Sequence, residues 1–228
     1  MNVVITGASG GIGKAVAERF LELGHTVYGI DLLPAEVRHG RYTHYIADIR
    51  DAAALPEIED VNILFNNAGA QNSDDDLGNN LTGAVNVTEK YMKSPGIRSV
   101  LFNASASAVS GQEFPLYAAA KAGLLGYMKN VAIRLSSVGA TVNALSLGGV
   151  HTPLNDPVVN DPDLWEQIMA VTPLKKWMTT DEVADWVVFL TLTNRSMSGQ
   201  NLLIDNGELD LNSTFVWPKT DENGDLLP

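Results

Sequence analysis

Short apolar runs alternate along this chain with longer stretches of helical spacing. Residues 2–6, 25–31, 43–47, 61–65, 97–104, 140–146 and 201–204 each read as a strand. Short apolar runs bounded by turn signals suit parallel strands covered on both faces. After the first strand, Ile12, Ala15, Val16, Phe20 and Leu23 follow one helical face, and Gly24 stands at the stop. Ser73-x-x-Asp76 reads as the start of a helix over 74–93, and a second helix spans 112–137 with Gly139 beyond it. Thr179-x-x-Glu182 reads as a capping box, opening a helix whose Val183, Trp186, Val187 and Leu190 form one apolar stripe assigned to the core. Strands alternating with helices predict an α/β fold around a parallel sheet.

Composition narrows the partners. At 228 residues the chain suits one large α/β domain or two small ones, and 45% hydrophobic with 18% charged residues describes an ordinary globule. No stretch approaches the ~18 apolar residues of a membrane span, and the first residues lack a secretory pattern. There is no cysteine, so neither disulfides nor thiolate chemistry, which fits the cytoplasm. His25, His39, His44 and His151 are scattered without ligand spacing, so no metal site is expected. A net charge of −12 repels nucleic-acid phosphate and anionic membrane. The expected partner is a small molecule.

Thr6-Gly7-Ala8-Ser9-Gly10-Gly11-Ile12-Gly13 joins the first strand to the first helix. A glycine loop there lets backbone approach a pyrophosphate closely, with the helix N-terminus facing the charge. The spacing Gly7-x3-Gly11-x-Gly13 differs from the Gly-x-Gly-x-x-Gly fingerprint of most nicotinamide dehydrogenases. It resembles the loop of the short-chain dehydrogenase/reductase family, and the resemblance runs from Asn2 to about Gly207. Asp31, ending the second strand, can accept from both adenosine ribose hydroxyls. Its charge, with no basic residue among Ser9, Gly10, Leu32 and Leu33, predicts NAD over NADP. Arg38 and Arg41 are the nearest basic side chains, with directions the sequence leaves open.

Chemistry is expected from Tyr117-Ala118-Ala119-Ala120-Lys121. Three alanines keep this stretch helical, so phenol and ammonium share one face. An ammonium at ~4 Å in an effective dielectric of ~20 favours the phenolate by about 4 kcal/mol, bringing a tyrosine towards useful acid–base range. Ser105 stands at the carboxyl end of the fifth strand, where ligands of such sheets bind. The resemblance makes Ser105 the catalytic serine, although it lies one residue closer to Tyr117 than is usual, and Ser107 is the competitor. It also implies that Asn80 supports a water-linked proton relay through Lys121, with Asn79 the alternative because the segment before it is short. It implies cofactor contacts at Gly7, Ser9, Gly11, Ile12, Gly13, Asp31, Asp48, Ile49, Asn67, Ala68, Gly69, Tyr117, Lys121, Val150 and Thr152. Asp48 would meet the adenine amino group, and Asn66-Asn67-Ala68-Gly69 would steady the central sheet. Leu147 stands where relatives carry proline.

The resemblance implies a single doubly wound Rossmann-type domain over 1–211, its seven parallel strands in the order 3-2-1-4-5-6-7. Residues 153–178 form a substrate lid, and 212–228 a tail whose Phe215, Val216 and Trp217 could anchor on a neighbouring subunit. The implied function is NAD-dependent interconversion of a secondary alcohol and a ketone, 3-oxoacyl thioesters included, by a homodimer or homotetramer. A catalytically silent dinucleotide sensor or scaffold is the rival reading, since it needs the glycine loop but not Ser105, Tyr117 and Lys121 together. A Rossmann methyltransferase is a third, and has no use for the Tyr–Lys pair.

Overall fold

A computed structural model describes residues 1–112 and 114–211. The anchoring role considered for Phe215, Val216 and Trp217 lies outside the described residues. The strands are β1 Asn2–Thr6, β2 Thr26–Asp31, β3 Tyr42–Ile46, β4 Val61–Asn66, β5 Ser99–Asn103, β6 Thr141–Leu147 and β7 Asn201–Ile204. All neighbours pair in parallel, in the order β3-β2-β1-β4-β5-β6-β7. The order reverses between β1 and β4, and sheets of this kind bind ligands outside the strand ends at such a switch point.

Helices cover both faces: α1 Gly11–Glu22, α2 Gly83–Tyr91, α3 Ser107–Ser110, α4 Pro115–Leu135, α5 Asp156–Val159, α6 Pro162–Val171 and α7 Thr180–Val188. Alternation within the strands divides the core in two. Val3, Ile5, Phe65 and Leu101 pack with Val16 and Phe20 of α1 and Val183 and Val187 of α7. Val4, Leu64, Val100 and Phe102 pack with Val87 of α2 and Leu124 and Met128 of α4. Burial on both faces explains why these strands read as continuous apolar runs.

Local signals hold with two adjustments. Thr179 caps α7 by the expected box: its hydroxyl accepts from Glu182 N, and the Glu182 carboxylate accepts from Thr179 N. Ser73 donates from both backbone and hydroxyl to the Asp76 carboxylate, and the chain turns helical at 76 rather than 74. That helix passes through a π-turn, Gly78–Thr82, before continuing as α2. The apolar stripe of α7 is narrower than expected. Val183, Val187 and Leu190 are buried, but Trp186 is 39% exposed and rests edge-on against Phe189. Leu23, at the cap position beyond the last turn of α1, is exposed too. Phe65 sits fully buried in the central strand, so Phe65→Ala is expected to cost about 3–5 kcal/mol in urea unfolding.

Candidate active site

The site begins where β1 and β4 end side by side. Thr6 Oγ1 accepts from the backbone N–H groups of Asn67 and Ala68, both at 3.0 Å. The Asn67 amide donates back to the carbonyls of Thr6 at 3.0 Å and Gly7 at 3.2 Å. Gly7 takes a left-handed φ of 69°, and a Cβ on Gly13 would lie 1.9 Å from the Gly7 carbonyl oxygen. Only glycines let α1 begin so close to the strand end. Gly10, at the cap of α1, supplies no side-chain bond, so the first-turn N–H groups stay available to an anion.

One end of the resulting cleft is acidic and held by backbone donors. Asp31 accepts from Ser9 N at 2.9 Å and Leu33 N at 3.0 Å. Arg41 turns away, its guanidinium donating to the Leu21 carbonyl at the far end of α1, and Arg38 is exposed. Asp48 is engaged with Arg50, which binds its carboxylate through Nε and Nη2 and also reaches Asp75. That pairing holds the Asp48 carboxyl below its usual range. Arg50, absent from the sequence reading, thus ties Asp48 to the short segment before Asn80. Ile49 is buried, its Cδ1 2.5 Å from where a Cβ on Gly83 would stand.

The other end carries the Tyr–Lys pair. Pro115 starts α4, and Tyr117 and Lys121 follow one turn apart, with Lys121 Nζ 5.6 Å from the centre of the Tyr117 ring. Lys121 is 4% exposed and donates to the Asn103 carbonyl at 2.8 Å. Burial pushes its ammonium down to about 8. The π-turn brings Asn80 inward, its amide donating to Ala70 O at 2.7 Å and Asp76 O at 2.9 Å. Asn80 Oδ1 is buried without a partner among the described residues. It would lie 2.5 Å from a Cβ on Gly69, and Lys121 Nζ would lie 3.4 Å from that same Cβ. The two groups therefore converge over Gly69, whereas the Asn79 amide donates to Ser73 Oγ. Ser105 and Ser107 are both buried, their hydroxyls 3.0 Å apart, and Ser107 N donates to Ser105 Oγ.

The loop after β6 closes the floor. Leu147 ends the strand, opposite Ile204, and Gly148 N donates to Ile204 O, so the place of the expected proline is held by β7. Val150 bridges to Met178, and Thr152 reaches Gly11, its Cγ2 3.4 Å from where a Cβ on that glycine would stand. Trp165 and Trp177 pack edge to face with His151 against both, fastening α6 to this loop. Neither α5 nor α6 contains a buried residue.

These parts line one cleft of about 930 Å³. Gly7, Gly11, Ile12, Asp31, Asp48, Ile49, Asn67, Ala68 and Gly69 face it from the first half of the sheet. Asn80, Ser105, Tyr117, Lys121, Val150 and Thr152 face it from the second. Ser9 and Gly13 stand behind the wall, one holding Asp31 and the other packed under Gly7. The open α1 terminus, the glycine cradle and the Asp31 carboxylate fit a dinucleotide with its pyrophosphate at the helix and a ribose at the carboxylate. Ser107, Asn103 and Arg50 also shape the site. Of these, only Ser107 was singled out from the sequence, as the competitor of Ser105 just after the fifth strand.

Comparison with known proteins follows this geometry. The family described as enoyl-(acyl carrier protein) reductase matches residues 7–208. An uncharacterized oxidoreductase of Schizosaccharomyces pombe is 29% identical, over 99% of this chain and 97% of its own. A crystal structure of an oxidoreductase of the short-chain dehydrogenase/reductase family from Burkholderia thailandensis superposes with a TM-score of 0.80 at 30% identity, covering 92% of this chain and 93% of that one. A 3-oxoacyl-[acyl-carrier protein] reductase from Brucella melitensis with bound NAD gives 0.77 at 25% identity, covering 90% of each chain.

Burial of Lys121 has a measurable sign. Its folded pKa of about 8 lies below the ordinary 10.5, so between those values the unfolded chain holds a proton that the folded chain has lost. Burying the ammonium therefore costs stability below pH 8, on the order of 3 kcal/mol, and the cost fades as pH rises towards 10.5. Lys121→Met should accordingly resist urea better than the native chain at pH 7, with the advantage shrinking between pH 8 and 10.5.

Proposed function

The chain belongs to the short-chain dehydrogenase/reductase family, and from that premise we propose that it is an NAD(H)-dependent oxidoreductase interconverting a secondary alcohol and its ketone. The observation that supports this reading is that Ser105, Tyr117 and Lys121 line one dinucleotide-sized cleft, with Lys121 Nζ 5.6 Å from the centre of the Tyr117 ring. When bound, the nicotinamide supplies or accepts the hydride. The protein does the rest. In reduction, Tyr117 Oη gives its proton to the carbonyl oxygen as that oxygen gains charge. The Ser105 hydroxyl, oriented by Ser107 N, donates a hydrogen bond to the same oxygen and fixes it. The Lys121 ammonium favours the phenolate left behind and holds the nicotinamide ribose. Asn80, whose side-chain oxygen lies over Gly69 as the Lys121 ammonium does, supports return of the proton.

At the other end the Asp31 carboxylate accepts from the adenosine ribose. In NADP a phosphate stands at that ribose, and one carboxylate against one phosphate charge costs about 4 kcal/mol before solvent relaxes. Half of that exceeds tenfold in affinity. The direction of Arg41, away from Asp31, supports NAD. Segment 153–178, with α5 and α6 poorly buried, acts as the lid over the substrate. The substrate lies among ketones and alcohols, a class that includes 3-oxoacyl thioesters. Exposed Leu116 and Ile133 on α4, and Trp186 with Phe189, support assembly into a homodimer or homotetramer.

A coupled absorbance screen of ketones with NADH and alcohols with NAD tests the activity. Tyr117→Phe is expected to lower turnover by at least about tenfold with cofactor affinity nearly unchanged, whereas Lys121→Ala loses both. NAD should exceed NADP by at least about tenfold in kcat/KM, and Asp31→Ala should narrow that gap mainly by weakening NAD. Equal efficiency with both cofactors would overturn the Asp31 assignment. Light scattering that gives a monomer at micromolar concentration would end the assembly reading.

A further inference from the structure

The geometry points to His44 as a positioning residue that sets the dinucleotide preference from outside the cleft, by fixing the turn whose Leu33 N–H aims Asp31. The inference rests on the reading of Asp31 as the ribose-binding carboxylate. Leu32 and Leu33, which follow β2, are 59% and 64% exposed and gain no hold from the core. Hydrogen bonds fix this turn instead. The Leu33 carbonyl accepts from His44 Nε2 at 2.9 Å and from Ser9 Oγ at 3.1 Å. The Leu33 N–H and the Ser9 N–H each donate to one oxygen of Asp31. The carboxylate is thus oriented by two donors, and Leu33, whose N–H is one of them, is anchored at its carbonyl by His44 together with Ser9.

The tautomer follows from the partners. A carbonyl oxygen can only accept, so His44 Nε2 carries the proton. In the neutral ring Nδ1 then accepts, and Tyr42 Oη, 2.9 Å away, is its donor. Burial, followed by the charge of Asp31, pushes the Tyr42 phenol up to about 12, so it keeps that proton across the working range. Room for the phenol comes from Gly29, where a Cβ would stand 2.1 Å from Tyr42 Oη. Parallel register sets Val27 beside Tyr42 and Gly29 beside His44, so the two side chains share one face of β3, and His44 reaches past the end of β2 to the Leu33 carbonyl. His44 itself does not line the cleft.

Without His44 the Leu33 carbonyl is held by Ser9 Oγ alone, and the Leu33 N–H is less firmly directed at Asp31. NAD, which needs the carboxylate aimed at its ribose hydroxyls, is weakened. NADP, which the carboxylate repels, is not. Fluorescence titration of NADH and NADPH into the folded protein tests this without turnover. His44→Ala should weaken NADH about fivefold, the scale of one net hydrogen bond, with NADPH within about twofold of native. His44→Gln, whose amide can donate to the Leu33 carbonyl, should restore NADH to within about twofold of native. Equal weakening of both cofactors, unchanged NADH affinity in His44→Ala, or a glutamine variant no better than alanine would each overturn the proposal. Failure of the native chain to bind NADH at all would instead overturn the cofactor reading on which it stands.

Discussion

Much of the molecule hangs on the joint between the ends of β1 and β4. One threonine hydroxyl, Thr6 Oγ1, accepts two backbone N–H groups from the neighbouring strand, and one amide, Asn67, returns two bonds to the carbonyls of Thr6 and Gly7. Parallel strands splay as they leave a sheet, and their last N–H groups would otherwise face the low-dielectric rim unpaired. The joint satisfies those groups and holds two loops at a fixed separation. The glycine loop lies on one side of it. On the other, Asn67 Oδ1 accepts from Asn103, whose own carbonyl receives the Lys121 ammonium. The glycine-loop end and the Tyr–Lys end of the cleft are therefore spaced by a hydrogen-bonded bar that crosses the middle of the sheet.

The strands and the glycine loop were legible because their signals are local, whereas the strand order and most of the cleft residues came from the family resemblance. Buried parallel strands announce themselves as apolar runs, and the spacing of Gly7, Gly11 and Gly13 reflects close approaches that a Cβ would block. Helix starts at Ser73 and Thr179 were legible through capping, since a cap is made within four residues. What escaped the sequence depends on contacts across the fold. Trp186 looks like a core residue by spacing, but the sheet surface beneath α7 is already filled by Val183, Val187 and Leu190, so the indole is left to Phe189. Arg50 is two residues from Asp48, yet its second partner, Asp75, lies in a different loop. Tyr42 and His44 read as ordinary alternating strand residues. Their partners, Leu33 and the open space over Gly29, come from a neighbouring strand and the turn beyond it.

Several side chains at the site lower stability where they stand. The Lys121 ammonium is desolvated. The side-chain oxygens of Asn66, Asn80 and Asn103 are buried without partners among the described residues, and the helix bearing Asn80 leaves α-helical geometry for a π-turn. Insertions of this kind in helices recur at functional sites. Here the turn rotates one asparagine towards Gly69, while Asn79, its neighbour, keeps to the Ser73 cap. Apolar packing on either face of the sheet offsets these costs, which explains why the polar belt between β4, β5 and α4 is bounded by fully buried Phe65, Phe102 and Leu124 or their near neighbours in the core.

α5 and α6 lack a single buried residue, and what fastens α6 is an aromatic contact between Trp165, Trp177 and His151. Substitutions along this stretch remove almost nothing from the core, so they leave the rest of the fold standing. The joint at Thr6 and the ammonium at Lys121 have no such freedom, because each neighbour there is pinned by another. On the proposed function, inheritance would act unequally on the two parts: the joint and the Tyr–Lys end of the cleft would be held still, and the loosely packed segment beside them would be free to drift.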